Sequence, residues 1–523
     1  MSKKLSSNQW FKKLMNYQGS LVSFEYGRIL NSLFLLRHLN GRFEKQREYL
    51  ITEGREDDLE DSDSYFEKNV TYLPKEARWS EILQQSQESN LGVCLDKAFE
   101  LIQQEDNRLI GVIKRYCFTQ SGLKQGSLRT IMDDIERIYE EADSEEEFIN
   151  NFQELLNEFA QIIGKQEKEN KHTQLTASKL LVTLLEIEHK PARIYDPCFG
   201  TGSLLLEASK YIKKTYKDMD ETEFESLFSF YGQERYWEMH SLAKINFAIN
   251  GIEPFFGEPA CTFNREQHVG KKMDYIVASI PSNQSDWRDE EGLIDDVRWE
   301  GYGIPPVKSA NYAWILHIIN KLSSHGIATV LIPQRALHGG GDEKRIRQRI
   351  IENGLIEAVI LLPKRLVYND DIQLSILVIN KNKAKKTIIV GDQAKTCRNR
   401  TQEVLFIDAR KGVGVRVSGD LQLSLKDIEK IVKTLQDWRY EFSIQEINEN
   451  EKISYKSVTL EEIKAADFSL FQDQYVSDNS NKELEQVLEW EVRRKEIEEN
   501  LLILFKKEEE KRENVLKLFT KKS

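Results

Sequence analysis

Ile194-Tyr195-Asp196-Pro197-Cys198-Phe199-Gly200-Thr201-Gly202-Ser203 is the stretch on which the fold turns. An apolar, β-rich run, Arg193–Tyr195, ends in an acidic residue and a proline. Two glycines follow, and then an amphipathic helical pattern over Ser203–Lys214. Strand, glycine loop and helix in that order make a turn whose backbone can approach a ligand without a Cβ clash, beneath the unpaired N–H groups of a helix N-terminus.

The same alternation continues downstream. Strand candidates are Ser229–Gln233, Tyr275–Ala278, Ile327–Ile332, Ile356–Leu362 and Leu374–Asn380, with amphipathic helices at Glu238–Asn250 and Ala310–Leu322 between several of them. This predicts an α/β fold with a mostly parallel sheet covered by helices on both faces. After about Lys381 the pattern is mixed, with one further strand at Val404–Asp408 and one further helix at Leu425–Arg439. At the end of the second strand stands Tyr231-Gly232-Gln233-Glu234, whose carboxylate is suited to accept hydrogen bonds from a ribose. Glu234 lies 38 residues after Asp196, against about 20 in nicotinamide enzymes. The extra length, which the Tyr216–Phe228 stretch can absorb, and Asp196-Pro197 before the glycines both speak against a nicotinamide oxidoreductase.

Before this region the chain reads differently. To about residue 160 it is rich in helix formers; Phe24–Leu39 carries apolar residues around most of a helix and is predicted to be buried. Glu53–Ser64 reads as an acidic loop, and Thr130–Ala160 as an amphipathic helix pair with a solvated face rather than a carboxylate site. The tail from Asn481 to Ser523 is dominated by Glu and Lys, with Leu484, Leu488, Ile497 and Leu501 among the residues on one helical face. It is either a helix folded back on its own chain or a coiled-coil arm for a partner; charge density and length favour the arm. The expected division is a helical domain over 1–160, the α/β domain over 161–400, a C-terminal extension of that core over 401–480 and the arm over 481–523.

With 523 residues, 40% hydrophobic and 31% charged, the chain can fill more than one core. No run reaches the roughly 18 apolar residues of a membrane span, and no apolar segment or cleavage site follows the first residues, so the expectation is a cytoplasmic protein without membrane contact. Five cysteines, at 94, 117, 198, 261 and 397, are too scattered for a disulfide framework or a zinc site, and no metal is expected. A net charge of -12 excludes gripping DNA by bulk attraction, so any DNA contact needs a local basic surface or a partner.

Asp196–Ser203 resembles the S-adenosylmethionine loop, Asp-Pro-x-x-Gly-Thr-Gly, of the modification subunits of type I restriction–modification systems, a family of adenine-N6 DNA methyltransferases. Gln233-Glu234 with Leu242–Phe247 and Gly251-Ile252 is similar to the family's second cofactor motif. Val297-Arg298-Trp299, Gly303-Ile304-Pro305-Pro306 and Ala310-Asn311-Tyr312-Ala313-Trp314 match a stretch peculiar to this subunit. Gly326-Ile327-Ala328, Leu361-Leu362-Pro363 and Leu366-Val367-Tyr368 continue the match. Glu25-Tyr26, Leu33-Phe34-Leu35 and Arg42-Phe43-Glu44 are similar to its helical N-terminal domain, and Phe406–Arg410 and Asp467–Leu470 to its C-terminal markers. The resemblance covers nearly the whole chain. It implies a Rossmann-like methyltransferase sheet and S-adenosylmethionine held by Thr176, Asp196, Pro197, Gly200, Thr201, Gly202 and Glu234. It also implies double-stranded DNA as substrate and a complex with a specificity subunit, a second modification subunit and, in the full assembly, a restriction subunit, with the terminal arm against the specificity subunit.

Two positions depart from the family. Its catalytic turn reads Asn-Pro-Pro-aromatic; here Asp274-Tyr275-Ile276-Val277-Ala278 leads into Ser279, Ile280, Pro281 and Ser282. The family's Asn side chain and first proline carbonyl accept the hydrogens of the adenine amino group, and the aromatic stacks on the extruded base. Ser279 offers a shorter acceptor, Ile280 lacks the fixed φ that aims the carbonyl, and Ser282 cannot stack. A lost transition-state acceptor costs about 2.7–4 kcal/mol and a lost stack about 1–3 kcal/mol, together roughly three to five decades in rate. Trp287 or Tyr302 swinging in is the available compensation. The second departure is at Gln174-Leu175-Thr176-Ala177, where the family's aromatic-Thr-Pro turn keeps only its Thr. The resemblance thus allows either a working methyltransferase or an inactive one that supplies architecture and clamps DNA.

Overall fold

Among the described residues twelve strands form, in the order the apolar runs predict, with additions near the C-terminus. They are β1 (Ala192–Asp196), β2 (Phe228–Gly232), β3 (Met273–Ser279), β4 (Leu322–Pro333), β5 (Ile356–Leu361), β6 (Leu374–Asn380), β7 (Lys386–Val390), β8 (Gln393–Cys397), β9 (Glu403–Asp408), β10 (Val415–Val417), β11 (Asp420–Gln422) and β12 (Ser454–Thr459). Eight make one sheet in the order β12-β9-β5-β6-β4-β3-β1-β2. Only β6 and β12 run against their neighbours, so the sheet is mostly parallel. Strands buried on both faces, such as β5 and β6, are continuous apolar runs, as a sheet covered by helices requires. β7 pairs with β8 and β10 with β11 as separate two-stranded ribbons. β12 escaped prediction because its sequence is largely polar and exposed; its strand state comes from antiparallel pairing with β9, Ser454 opposite Asp408 through Thr459 opposite Glu403.

The computed structural model describes residues 5–87, 89–113, 116–166, 175–282, 284–364, 373–391, 393–410, 413–417, 420–440 and 453–476. The chain divides into two units at Leu470/Phe471. Of the second unit, residues 471–476 are described, with a 3-10 turn at Gln472–Gln474. The predicted arm at 481–523 lies outside the described residues, as do Gln174, Asn283 and Leu366-Val367-Tyr368. No helix among the described residues is long and apolar enough to cross a membrane.

The N-terminal region is helical. Helix Ser23–Thr52 is buried over most of its first twenty residues, including Arg37, whose guanidinium forks onto Glu136 at 2.6 and 3.0 Å. The predicted helix pair is Gln125–Glu141 and Glu145–Gln166. The predicted loop Glu53–Ser64 is partly helical, with a 3-10 turn at Glu56–Asp58 and a helix opening at Asp63. The cause is Tyr65, which is fully buried and stacks on Phe43 with ring centroids 4.9 Å apart, drawing the acidic segment onto the core.

Helix Trp237–Ile249 joins this region to the sheet. Ala243 and Phe247 belong to the sheet's core, while Met239, Leu242, Ile245 and Ile249 belong to the N-terminal core. Helix Ser23–Thr52 packs against it, so the element that follows Glu234 is held from both sides.

Candidate functional site

Because β1, β2 and β3 are parallel, their C-terminal residues reach the same edge of the sheet. Asp196 pairs with Gly232, and Ser279 closes β3 beside Leu331 of β4. The chain leaves β1 for β2 on one side and returns for β3 on the other, which places a crevice outside the carboxyl ends of β1 and β3. Asp196, Pro197, Gly200, Thr201, Gly202 and Glu234 meet on one side of that crevice and Ser279–Ser282 on the other.

The loop after β1 is organised by backbone bonds. Gln233 N–H donates to the Asp196 carbonyl at 3.1 Å, and Phe199 N–H to the Gln233 carbonyl at 3.2 Å. Glu234 accepts the Gly200 N–H at 3.0 Å and the Tyr236 N–H at 2.9 Å, each on a different carboxylate oxygen. Gly200 and Gly202 have φ of 57° and 78°, the left-handed region that glycine favours. A Cβ on Gly202 would lie 2.6 Å from the ring of fully buried Phe247. Replacing Gly202 with Ala is therefore expected to abolish ligand binding in the crevice and lower stability by about 1–3 kcal/mol. Thermal unfolding with and without ligand checks both, and a variant that melts and binds as wild type would refute the close approach.

Asp196 is fully buried. Its Oδ1 accepts the Cys198 N–H at 3.0 Å, while Oδ2 is buried with no partner among the described residues. Burial raises its pKa to about 7, against the Cys198 amide and with help from Glu234. An orphaned buried carboxylate oxygen beside a glycine cradle is what a site for a cationic ligand presents when its donors have yet to arrive. Thr176 sits in the first turn of helix Leu175–Thr183; its hydroxyl oxygen is likewise buried without a partner among the described residues, and no described hydrogen bond joins it to the loop.

On the other side, Ser279 ends β3 and its carbonyl accepts the Cys198 thiol at 3.4 Å. Burial, followed by Asp196 and Glu234, pushes the Cys198 pKa well up, so the sulfur remains a protonated donor. Ile280 is buried; Pro281 and Ser282 are partly exposed. Of the two candidate replacements for the missing aromatic, Trp287 is already engaged. Trp287 is 5% exposed, donates Nε1–H to the Pro306 carbonyl at 2.9 Å and packs edge-on against Phe263 and Trp299 at 4.8 and 5.8 Å. Tyr302 is half-buried.

Sequence reading missed the residues that brace the crevice from behind. Thr262 donates its hydroxyl to the Pro197 carbonyl at 2.7 Å, and Asn246 its amide to the Thr201 carbonyl at 3.1 Å. Asn246 stood inside a motif already quoted. Thr262 had no such signal, because a threonine in an irregular stretch is unremarkable until the fold brings it to the loop.

The comparisons with known proteins agree with this fold. Residues 144–484 match the N-6 DNA methylase family and residues 18–135 the HsdM N-terminal domain. The methylase subunit of the type I restriction enzyme HindI of Haemophilus influenzae is 30% identical over 77% of this chain and 89% of its own length. That of MjaIX of Methanocaldococcus jannaschii is 28% identical over 97% and 90%. In fold, the chain is similar to the type I restriction-modification methyltransferase subunit of Streptococcus thermophilus, with TM-score 0.69, 18% identity, and 90% and 100% of the two chains covered. It is also similar to a type I modification subunit of Vibrio vulnificus, with TM-score 0.58, 15% identity, and 87% and 94% covered. The chain belongs to the N-6 DNA methylase family, among the modification subunits of type I restriction–modification systems.

Proposed function

We propose that this modification subunit binds S-adenosylmethionine at the ends of β1 and β2 and holds double-stranded DNA within a type I complex, while its altered turn transfers methyl groups to adenine N6 only very slowly. The observation that carries the reading is an asymmetry across the crevice. The Asp196–Gly202 loop and Glu234 have the residues and the left-handed glycines that a cofactor loop needs, with the buried Asp196 Oδ2 unpartnered. The turn opposite ends in serines, and the indole of Trp287 is bound elsewhere.

S-adenosylmethionine would supply the electrophilic methyl group on its sulfonium. The chain's own part is to hold the ribose at Glu234 and keep the loop closed through Thr262 and Asn246. At the turn, Ser279 and the Ile280 carbonyl are what remains to receive the adenine amino group. A specificity subunit, a second modification subunit and, in the full assembly, a restriction subunit are the proposed partners; a chain of charge -12 needs their surfaces for its DNA grip.

The test is calorimetry and methylation on the chain reconstituted with its specificity partner. Saturable S-adenosylmethionine binding with transfer to DNA at least three decades below a working homologue is the expected result. Transfer at ordinary rates would sink the slow-turn half, and absence of binding the cofactor half. Affinity should also depend on pH. Without ligand, Asp196 is protonated below about 7, and a cationic ligand favours its ionised form. Binding should therefore release a proton at pH 6, tighten as pH rises through about 7, and level off above. Calorimetry in buffers of different ionisation enthalpy reads the proton directly, and a flat profile from pH 5.5 to 8 would remove Asp196 from the ligand's surroundings.

A further inference from the structure

The segment Ala260–Arg265 contacts Gln233-Glu234, Pro197 and the Trp287 and Trp314 rings. Ala260 N–H donates to the Glu234 carbonyl at 2.9 Å, and the Gln233 amide donates to the carbonyls of Ala260 and Arg265 at 3.2 and 2.8 Å. Thr262 holds Pro197. Phe263 packs against Trp287 and Trp314, with centroids 4.8 and 4.4 Å away, in the wall behind the turn.

One side chain grips this segment from beneath. Arg298, 6% exposed, donates Nη1–H to the Thr262 carbonyl at 3.2 Å and Nη2–H to the Phe263 carbonyl at 2.6 Å. Its own orientation is fixed by Asp296, which takes Nε at 2.8 Å and Nη2 at 2.5 Å and caps the short turn Val297–Trp299. Nη1 also reaches His317 Nδ1 at 3.4 Å, with His317 Nε2 3.1 Å from the hydroxyl of Tyr195. Burial, then Arg298 and Lys321, hold His317 neutral. A neutral ring that accepts at Nδ1 carries its proton on Nε2 and donates to Tyr195, the residue directly before Asp196. Both contacts of Nη1 therefore lead to β1 and the loop that follows it, one through Thr262 to Pro197 and the other through His317 to Tyr195, while Nη2 holds the Phe263 carbonyl.

We propose that Arg298 is a positioning residue for the cofactor loop: it sets the separation of Pro197 and Glu234 by clamping Ala260–Arg265 between them. The inference rests on the cofactor reading above. A planar fork is needed because two carbonyls, a carboxylate and a ring nitrogen are addressed at once, which an ammonium cannot do.

The experiment compares Arg298→Lys and Arg298→Ala with Arg347→Lys in the full chain. Arg347 is an equally buried arginine that binds the carbonyls of Phe468 and Gly339, away from the crevice. Arg298→Lys is expected to weaken S-adenosylmethionine binding at least tenfold, and methylguanidine to restore part of the affinity of Arg298→Ala. Arg347→Lys should lower the melting temperature with affinity unchanged. If wild type binds and the Arg298 variants bind equally well, or if both arginines reduce affinity alike, the positioning role is overturned. If wild type itself shows no binding, the cofactor reading fails and this proposal falls with it. A variant too unstable to assay is covered by Asp296→Asn, which loosens the fork and should weaken binding in the same direction; unchanged affinity there would also overturn the proposal.

Discussion

Changing Ser279→Asn, Ile280→Pro and Ser282→Phe together is expected to raise methyl transfer to adenine by roughly three to five decades, with S-adenosylmethionine affinity nearly unchanged. The gain combines about 2.7–4 kcal/mol for a restored acceptor and about 1–3 kcal/mol for a restored stack. Trp287 is held by a hydrogen bond to Pro306, so its ring does not already supply the stack that the change would restore. The three substitutions act on one bound base, so single changes should each give far less than a third of the total in logarithmic terms. The measurement is labelled methyl transfer by the reconstituted complex, with Cys198 left intact so that its thiol still fixes the Ser279 carbonyl. A triple variant that binds cofactor and DNA yet transfers no faster than wild type would place the block outside the turn.

Strands β1 to β6 and β9 and the helices around them were legible because their signal is local. Continuous apolar runs mark strands buried on both faces, and the helix Leu425–Arg439 falls where its periodicity predicts. That Asp196, Gly200, Gly202 and Glu234 would meet was legible because a glycine loop between strand and helix lies beside the end of the next parallel strand. What stayed hidden depends on residues far apart in sequence. Thr262 reaches Pro197 across 65 positions and Cys198 reaches Ser279 across 81, and neither leaves a periodic trace. Trp287 read as a free aromatic near the turn because its engagement by Pro306 and Phe263 exists only once the following loop has folded back. Polar β12 gave no strand signal for a related reason: an edge strand is specified by the neighbour it pairs with.

Buried charge was the least legible feature, and it carries the largest expected effect on stability. Glu357, on β5, is fully buried and accepts from Arg400 at 3.1 Å, Arg439 at 2.8 Å and Asn380 at 3.1 Å. Arg439 extends the network to Glu186 at 2.8 Å and to the Leu184 carbonyl at 3.0 Å, at the end of the helix that precedes β1. Burial works to raise the Glu357 pKa, yet Arg439 and then Arg400 outweigh it and hold the carboxyl well below its usual range. Substituting Glu357→Gln would leave two guanidiniums facing one another in the interior, at a cost of about 3–5 kcal/mol. Denaturant unfolding should show this as a lower midpoint. The acid limb supplies a second check. A depressed folded pKa contributes stability that is complete above the unfolded value of about 4.3 and is lost as pH falls below it toward the folded one. Wild type should therefore lose stability more steeply below pH 4 than the Gln variant, and parallel acid limbs would mean that Glu357 is not ionised in the fold. Because Arg439 closes the helix Leu425–Arg439 while Leu184 leads into β1, the same substitution should loosen the base of β1, and, on the proposed reading of the crevice, S-adenosylmethionine should stabilise the variant by less than it stabilises wild type.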